Sequence, residues 1–334
     1  MIIVTGGAGF VGSNIVKELN RRGRQDILVV DDLNNKQEEN QVYRNLVGLQ
    51  FIDFINKDDF LYNLVNGGYN NYAFEGIFHN GACSDTMEYD VNYMLRTNYD
   101  YSKNLLNFAQ NKQIPFIYAS SAATYGDGKN GFREGDASEG ALNPYAYSKL
   151  LFDRYVRQVI KAGTSSQIIG LKYFNVYGEQ EHHKGKMASI VYQLYKQLKA
   201  SGRCQLFRGN GVFPDGGQVG DGEQRRDFIY VQDVVKVNLW FWENAGRSGI
   251  YNCGTGESHS FNEMAWGLCE ALGWGEVDYI DFPEKLVGKY QNYTQSDNSE
   301  LYKAGYDRGF WNYKDAVCYY IEFLDSGRYY QYGK

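Results

Sequence analysis

The chain has 334 residues, 43% of them hydrophobic, enough for one large α/β domain with a smaller companion and a substantial core. A formal net charge of -6 argues against a nucleic-acid binder, while leaving room for a local basic site that takes a small anion. The five cysteines (Cys83, Cys204, Cys253, Cys269 and Cys318) are scattered and contain no C-x-x-C pair, which excludes a disulfide framework and a zinc site.

Short apolar runs alternate with longer amphipathic ones through the first half. Strands are predicted at Ile2–Thr5, Ile27–Asp31, Gly76–Phe78, Phe116–Ala119 and Ile168–Tyr173, and helices at Ser13–Asn20 and Asn98–Asn107. Such runs, joined by connections long enough for a helix, indicate βαβ units and a doubly wound parallel sheet of the Rossmann type. A further helix should start at Asn143-Pro144, a capping residue followed by proline at the first helical position. Its residues Leu151, Phe152, Tyr155, Val156, Val159 and Ile160 recur at helical spacing and should face inward. Beyond about residue 175 the pattern loosens, and the glycine-rich stretch 209–222 reads as a loop, either a surface excursion or a cover over a ligand. The expected division is a dinucleotide-binding domain over 1–174 plus about 226–255, and a smaller C-terminal α/β substrate-binding domain over 175–225 and 256–334. The opening strand leaves no room for a secretory leader, and no run of 18 apolar residues occurs. With reduced cysteines, a cytoplasmic location is expected, and the 30 tyrosines read as half-buried packing residues.

Two clusters carry chemistry. Thr5 to Gly12 (TGGAGFVG) follows a strand and opens a helix; Gly7, Gly9 and Gly12 form G-x-G-x-x-G. These glycines allow a tight turn, close backbone approach to a pyrophosphate, and helix–strand packing, while the helix N-terminus offers free N–H groups. Asp31 closes the second strand 19 residues after Gly12, where an acid can bind the adenosine ribose. Asp32, Glu38 and Glu39 would repel a 2′-phosphate, offset only by Lys36 and Lys57, so the residues themselves lean to NAD. The second cluster is Tyr145 and Lys149, four apart on one helix face, with Ser120-Ser121 at the carboxyl end of a strand. A neighbouring ammonium and a nicotinamide charge would stabilise the tyrosine phenolate, and a serine hydroxyl there would hold the reacting oxygen. His182-His183-Lys184-Gly185-Lys186 reads as a basic loop, a diphosphate clamp or the seat of a base. His79 reads as a satisfied core histidine, and adjacent His182 and His183 are a poor chelate, so no metal is expected.

Together TGGAGFVG, YASSAATYG, YAYSK and RRDFIYVQDVV resemble the extended short-chain dehydrogenase/reductase family. Further stretches over nearly the whole chain are similar to its ADP-heptose 6-epimerases: Ile77–Ser84 (IFHNGACS), Tyr173–Gly178 (YFNVYG), His183–Ser189 (HKGKMAS), Val237–Phe241 (VNLWF) and Gly288–Gln291 (GKYQ). The resemblance implies inversion at C6 of ADP-heptose, a precursor of the lipopolysaccharide core, through a 6-keto intermediate and tightly held NADP. It implies Tyr145 and Lys184 as the two acid/base groups, with Ser121 and Lys149 in support. It places the cofactor against Gly6, Gly7, Gly9, Phe10, Val11, Gly12, Asp31, Asp32 and Lys57, and against Asn80, Gly81, Ala82, Cys83, Ser84, Asn98, Val176 and Lys184. It places substrate against Ser121, Asn175, Lys186, Gln193, Phe207, Arg208, Gly209, Asn210, Arg226 and Tyr290, and implies a homopentamer. Lys186 and Gln193 stand where some members have serine and histidine. The alternatives are a nucleotide-sugar 4-epimerase, which shares Ser, Tyr and Lys, and a 4,6-dehydratase. The latter uses an acid pair where this chain has Ala122 and Ala123. A scaffold protein that keeps the dinucleotide fold has little need of Ser121, Tyr145 and Lys149 together.

Overall fold

The computed structural model describes residues 1–34, 41–284 and 290–327. Lys36, Glu38 and Glu39, and the first two residues of Gly288–Gln291, lie outside them. In the first half, strands β1 (Ile2–Thr5), β2 (Ile27–Asp31), β3 (Asp53–Asn56), β4 (Gly76–His79), β5 (Phe116–Ser121) and β6 (Ile168–Tyr173) alternate with helices. These are α1 (Phe10–Arg21), α2 (Lys57–Val65), α3 (Val91–Met94), α4 (Tyr101–Lys112) and α5 (Pro144–Ala162). The second half contributes β7 (Asn175–Tyr177), α6 (Ile190–Ser201), β8 (Arg203–Phe207), β9 (Arg225–Arg226), β10 (Phe228–Tyr230), α7 (Val231–Glu243) and β11 (Gly249–Cys253). It ends with β12 (His259–Ser260), α8 (Phe261–Leu272), β13 (Glu276–Ile280), α9 (Ser299–Lys303) and α10 (Tyr313–Ser326).

Seven parallel strands form the main sheet in the order β11-β6-β5-β4-β1-β2-β3. The chain winds outward from β1 in both directions, so the crevice between β1 and β4 at their carboxyl ends is the place where this topology receives a ligand. Both faces are covered: Ile2 and Val4 join one buried cluster with Ile15, Val29 and Val234, while Ile3 joins the other with Leu28, Leu105 and Phe152. Three two-stranded ribbons, β10-β7, β12-β9 and β13-β8, lie outside this sheet. A third cluster, including Leu194, Leu206, Met264 and Tyr320, packs α6, α8 and α10 around β8.

The five predicted strands are all present, two of them extended by one or two residues, and the α1 prediction is short by three residues at its start. The α5 prediction holds at its cap: the Asn143 side chain accepts from the Ala146 N–H at 2.8 Å, and Pro144 occupies the first turn. Phe152 and Val156 are buried there as the spacing requires, but so are Ser148, Lys149 and Asp153. The helix expected at Asn98–Asn107 is one run from Val91 to Lys112, broken by a π-helical segment over Leu95–Asp100. The stretch 209–222 is a loop as expected, with one bridge between Val212 and Gln218.

Candidate active site

The floor of the crevice is backbone. Gly6 adopts φ +66°, and a Cβ there would lie 2.6 Å from the Gly81 nitrogen. The tight turn therefore belongs to Gly6 rather than to the first glycine of the motif. Gly7 instead packs on the sheet, where a Cβ would meet Val29 at 2.9 Å; at Gly12 it would lie 2.1 Å from the Gly6 carbonyl oxygen. α1 starts just past Gly9 with no acidic residue in its first turn, so its free N–H groups face the crevice unopposed. A cradle that any Cβ would fill, at a bare helix N-terminus, fits a dinucleotide pyrophosphate.

Gly6, Gly9, Phe10, Val11, Gly12, Asp31, Asn80, Gly81, Ala82, Ser84 and Val176 line a cleft of ≈ 370 Å³. An adjoining cleft of ≈ 410 Å³ is lined by Asp31, Asp32, Lys57 and Cys83, together with Leu61, Tyr93, Arg96 and Tyr101. The Asp31 carboxylate accepts from the Ala8 and Asp32 N–H groups at 2.8 and 2.7 Å, which ties the glycine turn to β2. Lys57 pairs with Asp32 at 2.6 Å and holds that carboxyl below its usual range. Asn98 lines neither cleft. Its amide brackets the Cys83 backbone, accepting from the Cys83 N–H at 2.8 Å and donating to the Cys83 carbonyl at 3.0 Å. The π-helical segment is what brings Asn98 behind this strand-to-helix connection.

Tyr145, Lys149, Ser121 and Lys184 line the first cleft together, with Tyr173 and Phe174 beside them. Ser121 and the Tyr145 phenol face the same cleft, and the Lys149 ammonium donates to the Ala119 carbonyl at 2.8 Å. Burial lowers Lys149 to about 8. The expected lowering of Tyr145 by Lys149 is absent. Burial raises the phenol, opposed by Ser121, and the Lys149 charge is spent on the β5 backbone. Within the protein alone Tyr145 is thus held in its neutral, proton-donating form. Burial also lowers Lys184, opposed by the Glu181 carboxylate, and the Lys184 ammonium stands 5.3 Å over the Phe10 ring.

Beneath these groups lies a charged network with no local signal in the sequence. Asp153, one turn after Lys149 on α5, accepts from Tyr118 at 2.8 Å, Ser120 at 2.7 Å and Lys172 at 2.6 Å. Lys172 is fully buried and also meets Glu139 at 3.0 Å and Thr124 at 2.7 Å, and Glu139 in turn pairs with Arg157. Thr124 donates to the Ser121 carbonyl at 2.7 Å. The network therefore fixes Ser120 directly and the Ser121 carbonyl through Thr124, and of the two serines it is the Ser121 hydroxyl that the network leaves to the cleft. Asn45, also unanticipated, is wholly buried. Its amide donates to the carbonyls of Ala8 at 2.9 Å and Gln180 at 3.2 Å and lies 3.1 Å from His183, so it links the glycine turn to the Lys184 segment.

The residues assigned to substrate divide. Arg226 is buried, with its guanidinium 5.0 Å over the Tyr290 ring, and Tyr290 meets Phe207 at 6.3 Å. Tyr290 and Asn210 line a third cleft with the 211–216 loop, Asn292 and Tyr293. Asn175 is exposed beside the first cleft, between Phe174 and Val176. Four others lie in neither cleft. Lys186 is exposed, and the Gln193 amide is taken by the Gly185 carbonyl at 2.6 Å. Arg208 faces Asp221 and Asp281 on the surface, and the Gly209 N–H is held by Asp221.

Among the described residues, no group of three His, Cys, Asp or Glu is disposed to hold a metal. His79 is buried between Thr5 at 2.6 Å and Ser102 at 2.8 Å and is lowered to about 3 by burial and Lys149. Among them, too, no helix is long and apolar enough to cross a membrane.

Residues 2–254 match the NAD dependent epimerase/dehydratase family. The chain is 49% identical over 331 residues to an ADP-L-glycero-D-manno-heptose-6-epimerase of Brachyspira hyodysenteriae, covering 98% of this chain and 99% of that one. It is 48% identical to the enzyme of that name from Alkalilimnicola ehrlichii, over 96% and 97% of the two chains. The crystal structure of Helicobacter pylori ADP-L-glycero-D-manno-heptose-6-epimerase superposes with a TM-score of 0.81 at 30% identity, covering 97% and 96%.

Proposed function

The chain belongs to the NAD-dependent epimerase/dehydratase family, and we propose that it interconverts ADP-D-glycero-D-manno-heptose and ADP-L-glycero-D-manno-heptose by inverting C6. The observation that carries this reading is identity of 49% along 98% of the chain with an enzyme of that name. The product fits a role as precursor of lipopolysaccharide core heptose. Ala122 and Ala123, directly after Ser121, supply no acid pair for a dehydratase.

The glycine turn, Asp31 and the Asn80–Ser84 segment would hold a dinucleotide, which would supply reversible hydride transfer. The protein's own part is to move protons and hold atoms. In one direction Tyr145 or Lys184 removes the proton from the C6 hydroxyl as the C6–H bond gives up its hydride, leaving a 6-keto sugar. After the keto group turns, the other of the two residues would protonate the oxygen as C6 is reduced on its opposite face. Two groups from different elements suit an exocyclic carbon, whose oxygen is presented in two orientations. Ser121 holds the reacting oxygen, and Lys149 orients the end of β5 and the nicotinamide ribose. Phe207, Asn210, Arg226 and Tyr290 hold the nucleotide end, with residues 175–225 and 256–334 as the substrate-binding portion. NADP is the proposed cofactor: Lys57 offsets the Asp32 charge that would repel a 2′-phosphate. The proposed assembly is a homopentamer in the cytoplasm.

The test is epimerisation of ADP-D-glycero-D-manno-heptose by protein purified without added cofactor, with the released dinucleotide identified by mass spectrometry. Copurified NADP and turnover without supplement are expected. Tyr145→Phe should cut kcat roughly 10²–10⁴-fold with little change in melting temperature. Stoichiometric consumption of added dinucleotide would identify a net dehydrogenase and sink the proposal.

A further inference from the structure

Lys184 lies in a 3-10 helix (His182–Met187) at the tip of a short excursion that leaves β7 at Tyr177 and leads into α6. Such a segment holds a reacting amine in place only if its two ends are fixed. Glu181, wholly buried, lies between those ends. One carboxylate oxygen accepts from the Gly178 N–H at 3.2 Å, the Ser189 hydroxyl at 2.7 Å and the Tyr320 hydroxyl at 3.0 Å; the other accepts from the Ser189 N–H. Gly178 is the first residue of the excursion and Ser189 caps α6, so one side chain closes the loop at its neck. Tyr320 comes from α10, far along the chain. The Glu181 carbonyl also accepts from the Lys184 N–H at 2.9 Å, which sets the turn that presents the lysine.

We infer that Glu181 is the positioning residue for Lys184, and that α10, through Tyr320, takes part in holding the base. This rests on the reading of Lys184 as one of two acid/base groups. The chemistry of the pocket calls for a carboxylate. All four partners are donors, and a glutamine would turn an NH2 group toward at least one of them. A buried carboxylate is tolerated only where its lone pairs are filled, and here they are. The same charge opposes the effect of burial on Lys184. Of the other charged or titratable groups on the excursion, burial lowers His182 and His183, Glu179 accepts from the Tyr230 hydroxyl, and Lys186 is exposed.

A residue that acts through Lys184 affects one half of the reaction, whereas a merely structural residue affects both. The experiment is stopped-flow appearance of reduced nicotinamide when full-length enzyme with its copurified cofactor meets each C6 epimer separately. Lys184→Met identifies the direction that depends on the lysine. Glu181→Gln should slow that direction about tenfold to a hundredfold and leave the other within about twofold, as expected for a misplaced reacting group. Tyr320→Phe, which removes one of the four donors and leaves the carboxylate three, should slow the same direction by a smaller factor with only a modest drop in melting temperature. It keeps the inference testable if Glu181→Gln fails to fold. Equal slowing from both epimers, or no slowing in either variant, overturns the inference while the functional reading stands. A wild-type enzyme that reduces its cofactor with neither epimer overturns the functional reading, and this inference with it.

Discussion

The two sides of the cleft are built on different principles. The cofactor side is made of backbone: glycines packed against one another, a helix N-terminus, and one aspartate that ties them together. The Lys184 side is made of side chains on a short excursion, held by Glu181 at its neck and by Asn45 from behind. The first surface tolerates no added atom. The second tolerates substitution but depends on each buried polar contact being filled. A fixed floor suits a cofactor that never leaves, and a tethered tip suits a base that must meet a turning substrate.

The sharpest way to break this comparison is at the tip. Lys184→Met should lower epimerisation roughly 10²–10⁴-fold while dinucleotide still copurifies, because a general acid/base is lost and the floor is untouched. A variant with raised KM and unchanged kcat would make Lys184 a phosphate clamp instead. Next in size is the network under Ser121. Asp153→Asn leaves Lys172 short of a charge partner in a dry site, which should cost about 3–5 kcal/mol in urea unfolding. Asp153→Leu combined with Lys172→Met should recover much of that stability but not the kcat, since Ser120 and Thr124 lose their tethers. Full recovery of both would remove the network from catalysis.

A smaller effect is expected from His79. Its folded pKa of about 3 lies below the usual 6.5, so below pH 6.5 the unfolded chain takes up a proton that the folded protein refuses. Its contribution to stability should fall by about 1.4 kcal/mol per pH unit from there down toward its folded value. In His79→Gln, unfolding titrations at a series of pH values should show a correspondingly shallower acid slope. An unchanged slope would mean that His79 charges in place. The smallest effect is at Lys57. Its removal should weaken retention of NADP by about two- to fivefold and of NAD less, because Lys57 is partly exposed and shares its charge with Asp32 and Asp58. An equal effect on both cofactors would place Lys57 away from the 2′-phosphate.

The backbone side was the more legible from sequence, because its signals are local. Gly-rich turn, strand, capped helix and terminal aspartate all lie within the first 31 residues. The strands of the first half stand out because both of their faces are buried and they read as apolar runs. Beyond residue 175 the reading failed to find α6, α8 and α10. Their signals were present: Ser260 and Glu263 form a capping box before α8. What hid them was the interleaving of short two-stranded ribbons with those helices. The positions of Tyr145 and Lys149 followed from helical spacing. Glu181, Asn45 and Lys172 did not, because most of their partners lie 8 to 139 residues away and meet only in the folded chain. The lowering of Tyr145 by Lys149 was a pairwise argument, and it gave way to burial, a property of the whole site.

The contact between Gly6 and Gly81 has a consequence for how such a protein diversifies. At Gly6 the main chain of the second turn leaves no room for a side chain, and at Gly81 the Gly6 nitrogen and the Thr5 hydroxyl leave very little. Substitution is therefore easier at the rim, where side chains can be exchanged one at a time.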